Sequence, residues 1–211
     1  AALALSKGGN SFYAEDFQLR YTFDESDTQT GLILYKYTGA ATKVTLPDGL
    51  TVIGDSAFSG CTALQEIAIP ETVIEIGYSA FDGCSSLAKI VLPYGLTKIE
   101  SSVFWGCSAL QEVTIPESVT EIGQYAFYDC TGLKALILPQ GLKTIGSSAF
   151  KKCSSLTYID IPDGIETVGS WIGDDSLQLR CSMGSNAALA LSKGGNSFYA
   201  EDFQLRYTFD E

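Results

Sequence analysis

The feature that most constrains this chain is an internal repeat of fixed period between positions 47 and 169. All six prolines are equally spaced, at Pro47, Pro70, Pro93, Pro116, Pro139 and Pro162. Five of the six cysteines keep the same step, at Cys61, Cys84, Cys107, Cys130 and Cys153, and a phenylalanine precedes each of them by three positions. A period of about 23 residues indicates stacked copies of one short unit that cannot bury its apolar face alone.

Each unit can be folded from its own pattern of residues. Ile67 and Ile69 alternate with Glu66 and Ala68, which predicts a short strand with one buried face, and Pro70 ends that strand because it has no N–H. A second extended piece follows, and a helical or 3-10 turn then carries a phenylalanine and a cysteine into the core. A period of this length built on L-x-x-I-x-I predicts a β-rich leucine-rich-repeat solenoid. Its parallel sheet should lie on one face, with short strands and turns on the other.

The repeat divides the chain into segments. Residues 42–169 are the predicted solenoid, and residues 170–186 form a degenerate C-terminal cap and linker. Residues 1–41 are an N-terminal segment and a capping hairpin, because residues 17–23 and 32–37 are strand-like and flank a polar turn with a glycine. Such a hairpin would cover the open end of the core.

Residues 187–211 repeat residues 1–25 letter for letter. Natural repeats drift, so we interpret this copy as an engineered or cloning-derived duplication. The repeated capping strand at residues 202–209 is predicted to lie beside residues 32–37 of a neighbouring chain, or to compete for that place. Strand-exchanged oligomers would follow.

Composition excludes several classes of function. The net charge is −12 and the pI is near 4.3, which argues against binding to phosphate backbones. The chain has no histidine, the commonest general base and transition-metal ligand. No serine, cysteine or aspartate stands in a context that would activate it, and no apolar run is long enough to cross a bilayer. We therefore expect no enzyme activity, no cofactor, no nucleic-acid partner and no membrane insertion.

The periodic cysteines predict a column of buried free thiols. Stacked coils would place them about 5 Å apart, but with parallel Cβ vectors that do not favour disulfides. No C-x-x-C pair suggests zinc. Cys181 stands outside the column and is expected to be exposed and reactive. The pair Asp174 and Asp175 is interpreted as a solvated polar cap rather than a calcium site, which needs six or more oxygens.

Outward positions of the predicted sheet supply the candidate ligand site. One column alternates in charge along Lys43, Glu66, Lys89 and Glu112, which predicts a structural ladder of ion pairs. The same column continues into Ala135 and Tyr158, and the neighbouring column carries Val91 and Ile137. The resulting hypothesis is an apolar ligand-binding patch made of Val91, Ala135, Ile137 and Tyr158.

Two aromatic residues extend the candidate site to the rim of the sheet. Trp105 and Tyr128 occupy equivalent positions in adjacent coils, so their rings are predicted to lie one above the other. They could serve a protein interface or act as a stacking platform for a sugar. The alternative, in which the rings pack against each other, stays open.

The residues AFSGCTALQEIAIPETVIEIG at 57–77 carry a resemblance to a known family. They are similar to the BspA-like leucine-rich-repeat family of bacterial surface proteins, and the match runs from about residue 42 to residue 169. Three departures are Glu100 in place of glycine and Asp129 and Lys152 in place of the glycine before cysteine. The resemblance implies a secreted or cell-surface protein that acts in adhesion or protein binding, without shared catalytic residues. The function expected is therefore a non-enzymatic protein-binding or adhesion module, with carbohydrate binding through the rim aromatics as the alternative.

Overall fold

A computed structural model describes residues 4–5, 11–14, 16–23, 29–200 and 205–207. The repeats form a solenoid in which each coil contributes a strand to a main face and a shorter strand to a second face. The main-face strands are β5 (Lys43–Thr45), β7 (Glu66–Ala68), β9 (Lys89–Val91), β11 (Glu112–Thr114), β14 (Tyr158–Asp160) and β16 (Gln178–Cys181). The second-face strands are β6 (Val52–Ile53), β8 (Glu75–Ile76), β10 (Lys98–Ile99), β12 (Glu121–Ile122), β13 (Thr144–Ile145) and β15 (Thr167–Val168).

The terminal elements flank these coils. The N-terminal strands are β1 (Ala4–Leu5), β2 (Ser11–Ala14), β3 (Phe17–Phe23) and β4 (Gln29–Tyr37), and the C-terminal elements are α1 (Asn186–Lys193), β17 (Phe198–Ala200) and β18 (Leu205–Tyr207). The predicted leucine-rich-repeat solenoid with an N-terminal hairpin cap is confirmed.

The main face is parallel, and its register follows the sequence period over the first four coils. Lys43 pairs with Glu66 and Lys89 pairs with Glu112, so equivalent residues lie side by side. Residues 135–137 of the next coil are not in a strand. In the last coil the step is three positions shorter than the repeat period, because Tyr158 pairs with Gln178.

The second face is interrupted between β8 and β10, where Glu100 replaces glycine. At the equivalent Gly77, Gly123 and Gly146, an added Cβ would lie 2.7, 2.6 and 2.4 Å from a backbone nitrogen of the preceding coil. A side chain at this position therefore prevents the close approach that pairs the strands. β8 and β10 accordingly belong to separate sheets.

A column of stacked phenylalanine rings runs through the core. Neighbouring ring centroids are 5.1 to 5.8 Å apart with interplanar angles of 8 to 18°. Its members are Phe58, Phe81, Phe104, Phe127 and Phe150, and each is almost completely buried. Stacking of identical residues is the direct consequence of identical coils, and it supplies the apolar burial that one coil lacks.

The cysteine column lies beside the phenylalanines and uses its thiols as donors. The Cys84 Sγ–H donates to the Phe58 carbonyl oxygen of the preceding coil at 3.2 Å, and Cys107, Cys130 and Cys153 repeat this contact at 3.0 to 3.2 Å. Burial raises the pKa of Cys84 and of Cys153 to about 12. These four thiols are therefore buried, as predicted, and remain protonated at neutral pH.

Two expectations about cysteine exposure are wrong. Cys61 is half-buried rather than buried, because the coil before it comes from the hairpin and lacks an equivalent cysteine turn. Cys181, expected to be exposed, is only 3% exposed, because β16 is covered by the C-terminal segment. All six cysteines are free thiols.

The N-terminal hairpin closes one end of the solenoid. β3 and β4 pair in antiparallel fashion, and β4 joins the second face by pairing in parallel with β6. The Tyr37 ring lies 5.2 Å from the Phe58 ring and so extends the aromatic column by one place. Leu19, Leu32 and Leu34 are buried against the same end, whereas turn residues 24–28 lie outside the described residues.

The duplicated tail lies at the other end, on its own chain. β17 pairs in parallel with β16, and β18 pairs with β17, so the described part of the tail extends the main face. The prediction that the repeated strand lies beside residues 32–37 is therefore wrong. The edge of β16 is adjacent along the same chain, and pairing with it needs no encounter with a second molecule. The remaining residues of the predicted strand lie outside the described residues.

Candidate functional site

The charged column on the main face is neutralised by its own ion pairs. Lys43 Nζ lies 2.7 Å from Glu66 Oε2, and Lys89 Nζ lies 2.7 Å from Glu112 Oε2. The hydrogen bond with Glu66 raises the pKa of Lys43, and the hydrogen bond from Lys89 lowers the pKa of Glu112. The predicted charge ladder is confirmed at these pairs.

The predicted apolar patch is exposed but divided. Ile137 is 83% exposed and Val91 is 51% exposed, and Ala135 is exposed beside Ile137. Val91 and Ile137 are two coils apart, or about 10 Å, with Thr114 in the coil between them. The face therefore presents two apolar side chains on either side of a threonine, in the region where residues 135–137 leave the strand ladder.

Tyr158 has a partner that the sequence did not reveal. The Arg180 guanidinium lies 3.9 Å above the Tyr158 ring, and its Nε and Nη2 donate to the two Asp160 carboxylate oxygens at 2.5 and 2.7 Å. One full repeat period beyond Asp160 stands Met183 instead, so the shortened last coil hides this contact. At Tyr158 the predicted apolar patch therefore meets a polar group, the Arg180 guanidinium, which stacks on the ring and forms a bidentate pair with Asp160.

The rim aromatics form a cluster of three residues, the rim cluster of Trp105, Tyr125 and Tyr128. The Trp105 and Tyr128 centroids are 4.6 Å apart with an interplanar angle of 38°, and Tyr125 meets Tyr128 edge-on at 82°. The sequence predicts the contact between Trp105 and Tyr128, but sequence reasoning missed the contribution of Tyr125 to this cluster. The available signal was its departure from the serine that stands at this position in four other coils.

Lys152 extends the rim cluster from a strained backbone. Its φ of 63° lies in the left-handed region where glycine stands in three earlier coils, and Asp129 does the same at 62°. The Lys152 Nζ lies 5.0 Å from the Tyr128 ring centroid, and its backbone N–H donates to Asp174 Oδ2 at 2.8 Å. Asp174 therefore acts as a polar cap, in agreement with its interpretation from sequence.

Two further features of the described residues bear on function. Within them, no group of three or more histidine, cysteine, aspartate or glutamate side chains could hold a metal ion. None of the helices in the same part of the chain is long and apolar enough to cross a membrane.

Comparisons with known proteins identify the repeat family. The family model for the BspA type leucine rich repeat region matches residues 28–131 and 97–180, with six copies. No curated protein sequence matches the chain.

Three solved structures illustrate the similarity. A leucine-rich-repeat protein of T. pallidum is 34% identical with a TM-score of 0.71, and the match covers 82% of this chain and 81% of that one. A leucine-rich-repeat protein of Bacteroides ovatus is 28% identical with a TM-score of 0.68, and the match covers 80% of this chain but 46% of that one. The pneumococcal vaccine antigen PcpA, at 21% identity, a TM-score of 0.59 and coverage of 93% and 49%, shares the fold alone. The repeats, the coil geometry and these matches place the chain in the BspA-type leucine-rich-repeat family.

Proposed function

We propose that the chain is a non-enzymatic protein-binding or adhesion module of a secreted or cell-surface bacterial protein. Its binding surface is the apolar part of the main face, around Val91, Ala135, Ile137 and Tyr158. The observation that carries the proposal is the 83% exposure of Ile137 on a sheet whose neighbouring coils present paired charges. Burying an exposed valine or isoleucine side chain contributes about 1.5 to 3 kcal/mol, which favours a partner that covers it.

The surroundings of these residues resemble the rim of a protein interface. The pair of Arg180 and Asp160 borders Tyr158, and the pair of Lys89 and Glu112 borders Val91. Protein interfaces place apolar and aromatic side chains at the centre and polar groups at the edge, with tyrosine and arginine enriched. A location outside the cell rests on membership of the BspA-type family.

The geometry of the rim cluster does not favour the carbohydrate alternative. A sugar stacks on a free ring face, but Trp105 and Tyr128 are tilted against each other and Lys152 lies over Tyr128. The rings therefore contact each other and Lys152 instead of presenting a free face to a sugar. We therefore keep glycan binding only as an outcome of the test.

The test compares two triple variants matched in chemistry. The main-face variant is Val91→Asp, Ile137→Asp and Tyr158→Ser. The control introduces the same residues at Ile74→Asp, Tyr78→Asp and Tyr94→Ser, three exposed residues outside the main-face strands. Ligands are first identified on protein and glycan arrays probed with the labelled chain, and affinity is then measured for each variant.

We expect the main-face variant to lose more than about 30-fold in affinity, the size of one interface hot spot, and the control to bind normally. Both variants should melt cooperatively. Retained binding in the main-face variant would refute the assignment. Binding to glycans alone, abolished by Trp105→Ala and Tyr128→Ala, would transfer the function to the rim cluster.

A further inference from the structure

The duplicated segment closes the C-terminal end of the solenoid. Ser185 caps α1 by accepting a hydrogen bond from the Ala188 N–H at 3.2 Å. Ala187, Ala190 and Leu191 are buried on one side of the helix, which packs against β15. The helix thus covers the apolar end of the last coil, as a terminal cap must.

The Asn196 side-chain amide bridges two backbone groups of the last coil. Ile172 stands at the alanine position of the repeat, where the N–H donates to the glycine carbonyl three positions back in the same coil, as Ala80 does to Gly77 at 3.2 Å. In the last coil the Ile172 N–H donates instead to Asn196 Oδ1 at 3.1 Å. Asn196 Nδ2 in turn donates to the Gly169 carbonyl at 2.9 Å. Asn196 is 5% exposed, and its amide stands between the two backbone groups that bond each other directly in other coils, so both are paired at the buried end of the solenoid.

The two glycines before Asn196 are required by this docking. A Cβ on Gly194 would lie 2.6 Å from the Val168 carbonyl oxygen and 3.0 Å from that of Gly169. Gly195 has a φ of 68°, which an L side chain rarely adopts. The stretch from 187 to 196 therefore carries four docking features: a small apolar helix side, a close-approach glycine, a turn glycine and the amide.

Every one of these features recurs at the start of the chain. The counterparts of Ala187, Ala190, Leu191, Gly194, Gly195 and Asn196 are Ala1, Ala4, Leu5, Gly8, Gly9 and Asn10. Yet Ala4 and Leu5 lie in β1, paired with Tyr13 and Phe12, whereas Ala190 and Leu191 lie in a helix. The end of the solenoid that would hold the first copy is already occupied by the second.

We propose that residues 1–10 are a second C-terminal cap and dock on the C-terminal end of another copy of this chain when that end is free. The contact is head to tail, since the donor segment and the receiving surface lie at opposite ends of the solenoid. Self-capping is ruled out by reach. The coils of β6 to β15 span about 24 Å, and the three residues between a helix ending at residue 7 and β2 extend over about 10 Å. A heterologous contact of this kind produces open linear assemblies rather than closed dimers.

The test uses the full chain with its resident cap displaced by Gly194→Val and Asn196→Ala. Loss of hydrogen-exchange protection in residues 187–196 verifies the displacement. The matched control adds Gly8→Val and Asn10→Ala, so both chains have the same exposed end and differ only in the donor segment. Mass is measured by light scattering over a concentration series.

We expect the cap-displaced chain to rise from the 22.6 kDa of one chain to at least twice that mass, while the control stays at one chain. A labelled peptide of residues 1–10 should bind the control, and the same peptide with Asn10→Ala should not. Equal masses for the two chains, whether both associate or neither does, would overturn the proposal. If the displaced chain loses its cooperative melting transition, the peptide should restore it; failure to restore it also overturns the proposal.

Discussion

The buried thiol of Cys84 is predicted to stabilise the folded chain by an amount that depends on pH. Replacing Cys84 with alanine removes the Sγ–H donor to the Phe58 carbonyl, which still accepts the Cys61 N–H at 3.0 Å. No buried acceptor is therefore orphaned. The lost hydrogen bond costs about 0.5 to 1.5 kcal/mol and the lost sulfur burial about 1 kcal/mol, so we expect Cys84→Ala to destabilise the chain by about 2 kcal/mol at pH 8.

Raising the pH should reduce the difference in the free energy of unfolding between the original chain and Cys84→Ala. Burial raises the pKa of Cys84 from its ordinary 9.0 to about 12 in the folded chain. Between these values the unfolded chain loses the thiol proton while the folded chain keeps it, so stability falls as pH rises. The contribution of the protonated thiol is fully present below pH 9 and is lost progressively towards pH 12. At pH 10 this thiol lowers the free energy of unfolding by about 1.4 kcal/mol relative to pH 8. Cys84→Ala lacks the thiol and therefore does not lose this contribution.

The assay is urea unfolding at pH 8, 9 and 10 in the presence of a reductant, followed by circular dichroism. The stability gap between the original chain and Cys84→Ala should narrow from about 2 kcal/mol to less than about 1 kcal/mol. Cys84→Ser keeps a donor without a group that titrates in this range, and its gap should narrow in the same way. Tyrosines and lysines also titrate near pH 10, but they are common to all three chains and so do not change the stability differences between them. Parallel stability profiles between pH 8 and pH 10 would refute the buried, protonated thiol.

Two other predictions concern the core. Alkylation of the native protein should label the half-buried Cys61 at most, with five more sites appearing after denaturation; labelling of Cys181 in the native protein would contradict its burial under the C-terminal segment. Phe104→Ala, in the middle of the ring column, should cost about 3 to 5 kcal/mol in thermal or urea unfolding. The exposed Tyr94→Ala should change stability by less than about 0.5 kcal/mol, and equal effects of the two would contradict the stacked core.

The fixed period of the repeat by itself determined the coil, the identity of the core and the face of each strand. Because identical coils stack in register, a residue such as Phe104 must meet its counterparts Phe81 and Phe127 whatever the details of the loops. The same reasoning correctly paired Lys89 with Glu112 and brought Trp105 to Tyr128. It failed where the step changed: the shortened last coil put Arg180, not Met183, beside Asp160.

The interruptions of the two faces also required tertiary structure. Glu100 was visible as a departure from glycine, but its consequence follows from the 2.4 to 2.7 Å that an added Cβ would leave to the neighbouring backbone at equivalent positions. The interpretation of the duplicated segment as cloning-derived stays a prediction. Its packing against β15 nevertheless gives residues 187–196 a structural role in this fold.

The two identical segments, 1–25 and 187–211, mark the limit of what sequence alone determines. The pair Ala-Leu is a strand at residues 4–5 and part of a helix at residues 190–191, although the sequence that follows is the same in both copies. Short segments of small apolar residues have weak local preferences, so the surface available for burial decides their structure. At residue 187 that surface is the open end of a solenoid, with Ser185 present to cap a helix. At residue 4 it is the edge of β2, whose unpaired backbone groups select a strand instead.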